Sequence, residues 1–154
     1  MWDQVQTYFW PWAALIGLSL ALVWACKRHP FWGKRLLGIL FLLGGLANLF
    51  LAIFDPRDYL VFGRFTFFSF YRWFIYMILF RQALWMGTLL ALVHLYIAYH
   101  FLKGGPLSTL SVVMAIALLL LLAPLGFGSA FPATVFLMAG VYYVKVSMDL
   151  ETGS

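Results

Sequence analysis

Four long stretches of this chain carry no Asp, Glu, Lys or Arg: Gln4 to Cys26, Leu36 to Phe54, Gln82 to Leu102, and Gly104 to Val144. A charge at the centre of a membrane helix costs roughly 2.5–3.5 kcal/mol on insertion scales, so such runs mark where a chain can cross a bilayer. One crossing takes about 20 apolar residues. The first three runs hold one each, the first with its apolar core beginning near Tyr8. The fourth is 41 residues long and holds two, provided the chain turns midway. Pro124, Gly126, Gly128 and Pro132 supply that turn, because proline removes a backbone donor and glycine tolerates positive φ. The sequence therefore predicts an all-α, polytopic transmembrane helix bundle in a single domain. Its five spans lie near 8–26, 36–54, 82–102, 106–123 and 130–146, with one aromatic and basic interfacial helix besides. A β-barrel is excluded, since barrel strands are ten-residue alternating segments and not continuous apolar runs.

Composition fits this reading. The chain is 65% hydrophobic and 10% charged, against roughly 45–50% and about 25% in soluble domains. Five spans consume on the order of 100 residues, which leaves no separate soluble domain among the 154. One cysteine rules out a disulfide framework within a monomer. The opening Met-Trp-Asp-Gln lacks the basic region of a cleaved signal peptide, so the first span is expected to persist. Lys27, Arg28, Lys34 and Arg35 flank a nine-residue connection that the positive-inside bias places in the cytoplasm. With five spans the amino end is then outside and the carboxyl end inside a cytoplasmic-type inner membrane. Lys103 and Lys145 fall on the inner side, and the uncharged 126–130 turn falls outside. The net charge of +5 is spread along these boundaries, where anionic headgroups are its counter-charge; nucleic acid is not an expected partner.

The segment from Asp55 to Arg81 does not conform, because five spans put its arginines outside. As a sixth span, Tyr59 to Phe80 would carry Arg64 and Arg72 into hydrocarbon at roughly 5–7 kcal/mol. As a helix it gathers Arg57, Arg64 and Arg72 within about 80° of one another. Phe65, Phe67, Phe68, Phe70, Tyr71, Trp73, Phe74, Tyr76 and Phe80 lie opposite and beside them. Aromatic and basic faces together suit the membrane interface. An interfacial or re-entrant segment over 59–80, entered through Asp55-Pro56-Arg57-Asp58, is the favoured reading.

Within the spans, polar residues are the informative ones. None of the five has an Asp, Glu, Lys or Arg near its middle, which argues against proton-coupled carriers. No GxSxG, HExxH, Walker or CxxC pattern appears, so enzyme activity stays open and the sequence points away from it. No internal repeat supports an inverted-repeat transporter. His94 stands out because it shares a helical stripe with Gly87, Ala91 and Ala98. Small stripes let a neighbouring helix approach, which gives His94 a packing and hydrogen-bonding role. They also leave room for a flat cofactor whose metal takes an imidazole nitrogen, as in haem or chlorophyll. Six residues on, His100 is turned by about 240° and cannot share a metal with it. Gly38, Gly45 and Ala52 form a second stripe, with Asn48 three residues past Gly45. An amide bonding across a helix seam accounts for Asn48, and a substrate or quinone contact is the alternative. Cys26 reads as a buried thiol or, next to Lys27 and Arg28, a lipidation site. His29 reads as an interface residue. Gln82, Thr88, Ser108, Thr109 and Ser111 lie mostly near helix ends or can bond back to helix carbonyls.

The run Arg35-Leu-Leu-Gly-Ile-Leu-Phe-Leu-Leu-Gly-Gly-Leu-Ala-Asn48 resembles the opening helix of DoxX-like small membrane proteins. The Asp-Pro-Arg-Asp-Tyr59, Phe-Tyr-Arg-Trp-Phe74 and Ala-Pro-Leu-Gly126 stretches extend that resemblance over about 34–144. It implies a four-helix core with the first span as an addition. Some members of that family are associated with quinone-linked sulfur oxidation, but no catalytic signature here carries a residue role across. Three functions are expected in turn. The first is an accessory or assembly subunit of a larger respiratory or photosynthetic membrane complex, packed against other subunits or its own copies. The second is a quinone- or haem-linked redox protein with His94 at the cofactor. The third is a small-molecule or lipid carrier using Asn48 and His94.

Overall fold

In hydrocarbon an unpaired amide or carbonyl costs several kcal/mol, so the apolar runs must close their hydrogen bonds internally as helices. The computed structural model describes residues 2–66, 68–125 and 131–152, with side chains over 9–64, 66, 68–125 and 131–150. Its α-helices are α1 (Trp2–Arg28), α2 (Pro30–Phe54), α3 (Tyr59–Phe65), α4 (Ser69–Phe74), α5 (Ala83–Leu102), α6 (Thr109–Leu122) and α7 (Ala133–Thr152). No strand forms among the described residues. Phe9–Arg28, Pro30–Phe54, Ala83–Leu102 and Ala133–Leu150 are each long and apolar enough to cross a membrane. The remaining predicted crossing, α6, has only 14 residues. The turn predicted after it falls partly on 126–130, outside the described residues. On its near side, Ala123–Leu125 continue α6 as a 3-10 turn.

The nine-residue connection expected between the first two spans is corrected to a single residue. α1 runs to Arg28, only His29 leaves helical geometry, and Pro30 opens α2 at the one helical position where its missing N–H costs nothing. Gly33 makes so tight a corner possible: a Cβ there would lie 2.5 Å from the Cys26 Cα. Cys26 is fully buried in that corner, in line with the inert-thiol reading. As a result, Lys34 and Arg35 ride on α2 itself.

The two small-residue stripes read from the sequence face each other. Gly38, Gly45 and Ala52 on α2 are buried, as are Gly87, Ala91, His94 and Ala98 on the antiparallel α5. An added Cβ at Gly45 would meet Leu95 at 3.0 Å and His94 at 3.1 Å; one at Gly87 would meet the Ala52 Cβ at 2.7 Å. Without side chains in the way the backbones approach closely, and dispersion contacts hold the pair where lipid offers no hydrophobic driving force. α6 packs between α5 and α7, while α1 covers α7 and α2. Leu37, Phe41, Ile97, Phe101, Val141 and Val144 fill the shared core. Trp10, Leu18, Trp85, Leu89, Leu120 and Tyr142 are each more than half exposed on the outside. That surface suits lipid and would be untenable in water.

Six of the ten Lys and Arg residues, Lys27, Arg28, Lys34, Arg35, Lys103 and Lys145, gather at one end, and one of them is structural. Lys34 is 3% exposed. Its Nζ donates to the Lys103 carbonyl at 2.8 Å and the Gly105 carbonyl at 2.5 Å. From the other side, Lys145 Nζ donates to the Leu107 carbonyl at 3.3 Å and pairs with Asp149 at 2.7 Å. Two ammonium groups thus hold the α5–α6 loop, satisfying carbonyls at the negative end of the α5 dipole. Ser108 then caps α6, its Oγ accepting from the Ser111 N–H at 3.2 Å. At the opposite end of the bundle, Trp12 near the start of α1 donates to the Phe131 carbonyl just before α7 at 2.7 Å. α6 therefore carries the chain from the basic end to the far end.

The single interfacial helix expected over 59–80 is also corrected. Pro56–Asp58 form a 3-10 turn, followed by the seven-residue α3 and, after a break, the six-residue α4 with a π turn at Ile75–Leu79. The break starts at Thr66, which is extended (ψ 141°) and whose hydroxyl donates to the Pro124 carbonyl at 2.9 Å. That bond ties the hairpin to the end of α6. The longest continuous helical stretch, 69–79, covers roughly 16 Å at 1.5 Å per residue, too little for a crossing of about 30 Å. Arg57, Arg64 and Arg72 are all exposed, but they sit on three separate elements and share no helical stripe. Trp73, Phe70 and Phe68 are exposed beside them.

Candidate functional site

His94 sits near the middle of α5 and is 5% exposed. Gly44 makes room for its ring, since a Cβ there would lie 2.9 Å from Cδ2 and 3.2 Å from Nε2. Nδ1 is 2.8 Å from the Leu90 carbonyl one turn back. A carbonyl only accepts, so Nδ1 carries the hydrogen, and the neutral ring presents a bare lone pair at Nε2. No described residue bonds to that nitrogen.

Two cavities meet at this ring. The first, about 370 Å³, lies between α2, α5, the end of α6 and the α3–α4 hairpin; Tyr59, Phe62, Tyr71, Phe74 and Ile75 wall it on the hairpin side. The second, about 500 Å³, lies between α1, α2, α6 and α7, with His94 of α5 in its wall. Gly44, Ala47, His94 and Leu122 line both. Each falls in the roughly 300–1,000 Å³ range of small-molecule sites. Neither is sealed: Leu121 in the first wall and Leu15 and Leu18 in the second are also exposed on the lipid-facing surface. Among the described residues no Asp, Glu, Lys or Arg lines either cavity.

Thr134, at the start of α7, adds an unsatisfied group. It is 5% exposed and its Oγ1 is buried without a hydrogen-bond partner. Ser19 in the same wall is satisfied, donating to the Ile16 carbonyl at 2.8 Å. Nothing in the sequence marks Thr134, because a lone threonine in an apolar run has no periodicity.

Asn48 bonds within its own helix and not across the α2–α5 seam as expected. Its Nδ2 donates to the Gly44 carbonyl at 2.9 Å. The Tyr59 hydroxyl donates to the Asn48 backbone carbonyl at 3.1 Å and approaches Oδ1 at 3.5 Å. Asn48 and Tyr59 together form the polar corner of the first cavity. Burial pushes the Tyr59 phenol above its usual value, which is near 10 for a free tyrosine. Below that value folded and unfolded chains both keep the proton. Above it the unfolded chain ionises first, so stability falls as pH rises. Unfolding midpoints of the wild type and Tyr59→Phe, measured between about pH 9 and 11, should converge; parallel curves would rule Tyr59 out as the source.

A haem fits the lone pair at His94 but not the walls, because its two propionates would find no Lys or Arg among the lining residues. Among the described residues no three His, Cys, Asp or Glu side chains are grouped to hold a metal ion. His100 packs against Tyr96 and Tyr99, with centroids at 4.6 and 5.4 Å, near the basic end. Arg57, Arg64, Arg72 and Trp73 line neither cavity. The chain matches no protein-family model, no curated protein and no solved structure.

Proposed function

We propose that this chain is a multi-pass protein of a cytoplasmic-type inner membrane that holds a small apolar molecule inside its helix bundle. One observation carries the reading: an imidazole with an unused lone pair stands where two laterally open apolar cavities meet. A histidine buried in a membrane interior with one ring nitrogen left unused is by default a functional group. Lateral openings suit a molecule that arrives dissolved in the bilayer. In this reading α6 is the fifth crossing, since it links the basic end to the far end. The basic end faces the cytoplasm by the positive-inside bias, and the α3–α4 hairpin lies in the opposite interface. The likeness to DoxX-like proteins belongs to the same proposal, with α2, α5, α6 and α7 as the four-helix core and α1 added beside α2 and α7.

The accessory-subunit reading is compatible with this one. The exposed aromatic surface serves a neighbouring subunit or lipid equally well, so it favours neither. Native mass spectrometry of the protein extracted in mild detergent tests the proposal: a retained small molecule is expected, lost on Gly44→Leu, which fills the junction between the cavities. Release of a bare chain from the native membrane would overturn it.

A further inference from the structure

We propose that the cavity between α1, α2, α6 and α7 takes an uncharged, lipid-like alcohol whose hydroxyl donates to His94 Nε2, with the Thr134 hydroxyl as the second polar contact. This rests on the ligand-holding reading and adds the chemical class. With its hydrogen on Nδ1 and directed to Leu90, the ring has only an acceptor to offer at Nε2. A ketone, ester or ether has no hydrogen to give it. Thr134 Oγ1 is buried in the same wall and unpartnered. Leaving such a group unpaired costs about 1–3 kcal/mol, and native structures rarely do so without a reason. Thr134 can donate to a ligand oxygen while that oxygen donates to the imidazole, so a hydroxyl has the hydrogen-bonding capacity to answer both groups.

Charge narrows the class further. A carboxylate, phosphate or amine head would enter a wall with no opposite charge among the described residues to receive it. Leu15, Leu18, Leu22, Phe41, Leu119 and Leu137 are among the apolar residues that dominate the rest of the wall and call for a hydrocarbon body. Water matches the polar pair but leaves that apolar volume empty, so an alcohol with a chain or ring satisfies both parts.

The test uses the full chain in phosphatidylcholine nanodiscs, with ¹⁵N-labelled histidine and two probes of equal chain, farnesol and its methyl ether. Farnesol is expected to shift the His94 Nε2 resonance saturably. The ether, which cannot donate, should bind about tenfold more weakly, the worth of one hydrogen bond. His94→Phe and Thr134→Val should each weaken farnesol binding towards the level of the ether. Equal binding of alcohol and ether would overturn the assignment while leaving the ligand-holding reading intact. An Nε2 resonance unmoved by saturating farnesol, as with a bound water only, would overturn the assignment too. Absence of binding by both probes, together with a bare chain from the native membrane, would remove the underlying reading. The alcohol-against-ether comparison needs no variant, so a His94→Phe chain that fails to fold does not decide the matter.

Discussion

Lys34→Met should lower unfolding stability in mixed micelles by about 2–3 kcal/mol, because two hydrogen bonds from a charged donor disappear at once and each is worth roughly 1.5–3 kcal/mol before rehydration of the carbonyls. Methionine matches the alkyl stem, so packing against α5 is kept and the ammonium alone is removed. The loss should be local: hydrogen exchange across Lys103 to Ser108 should quicken, since Lys145 then holds the loop alone through its longer 3.3 Å bond to Leu107. Lys103→Met is the control, because that side chain is exposed and lies over the Tyr99 ring at 5.8 Å. Unchanged exchange in the loop of Lys34→Met would show that the two carbonyls do not depend on it.

Gly33→Ala should be the most damaging of the glycine substitutions, costing about 3 kcal/mol, the upper part of the range for overpacking. The new methyl would stand 2.5 Å from the Cys26 Cα and 2.9 Å from its N. These are backbone atoms, so the α1–α2 corner itself must open. Gly87→Ala ranks next, meeting the Ala52 Cβ at 2.7 Å and the Tyr59 hydroxyl at 2.5 Å. Gly38→Ala should cost less, because its nearest neighbours are the Leu102 side-chain carbons at 2.8 and 2.9 Å, which can rotate away. At Gly17 nothing lies within 4 Å. There alanine should be neutral or stabilising by up to about 1 kcal/mol through helix propensity. Thermal unfolding of the four variants gives the order, and an equal cost at all four positions would refute the close approach of these backbones.

Features that repeat were legible in the sequence. The charge-free runs located all four long helices, with ends within about three residues at Arg28, Phe54, Ala83, Leu102 and Ala133, while α2 starts six residues earlier than its run. The stripes through Gly45 and His94 located the seam between α2 and α5, because a helix repeats its face and four positions suffice to see it. Single events were not legible. Gly33 folds α1 onto α2 without a loop, and the resulting burial of Lys34 depends on a fold-back that no spacing announces. The residues of the hairpin over 59–80 have the pattern of one helix; the Thr66 bond to Pro124 at its break joins segments far apart in the chain. The stripe marks His94 in the sequence, while Thr134 acquires meaning only once α7 stands beside the same cavity.

In the proposed five-span arrangement, the shortness of α6 bears on the membrane around it. Its 14 residues and three-residue 3-10 extension reach about 27 Å at 1.5 and 2.0 Å per residue, a few ångströms less than a typical hydrocarbon core. Mismatch of that size is met by thinning the bilayer locally, at a fraction of a kcal/mol per ångström. Leu121, Leu122 and Leu125, where α6 stops short, also line the first cavity. The lipid leaflet should therefore dip where that cavity opens, and a thicker membrane would press headgroups against its mouth.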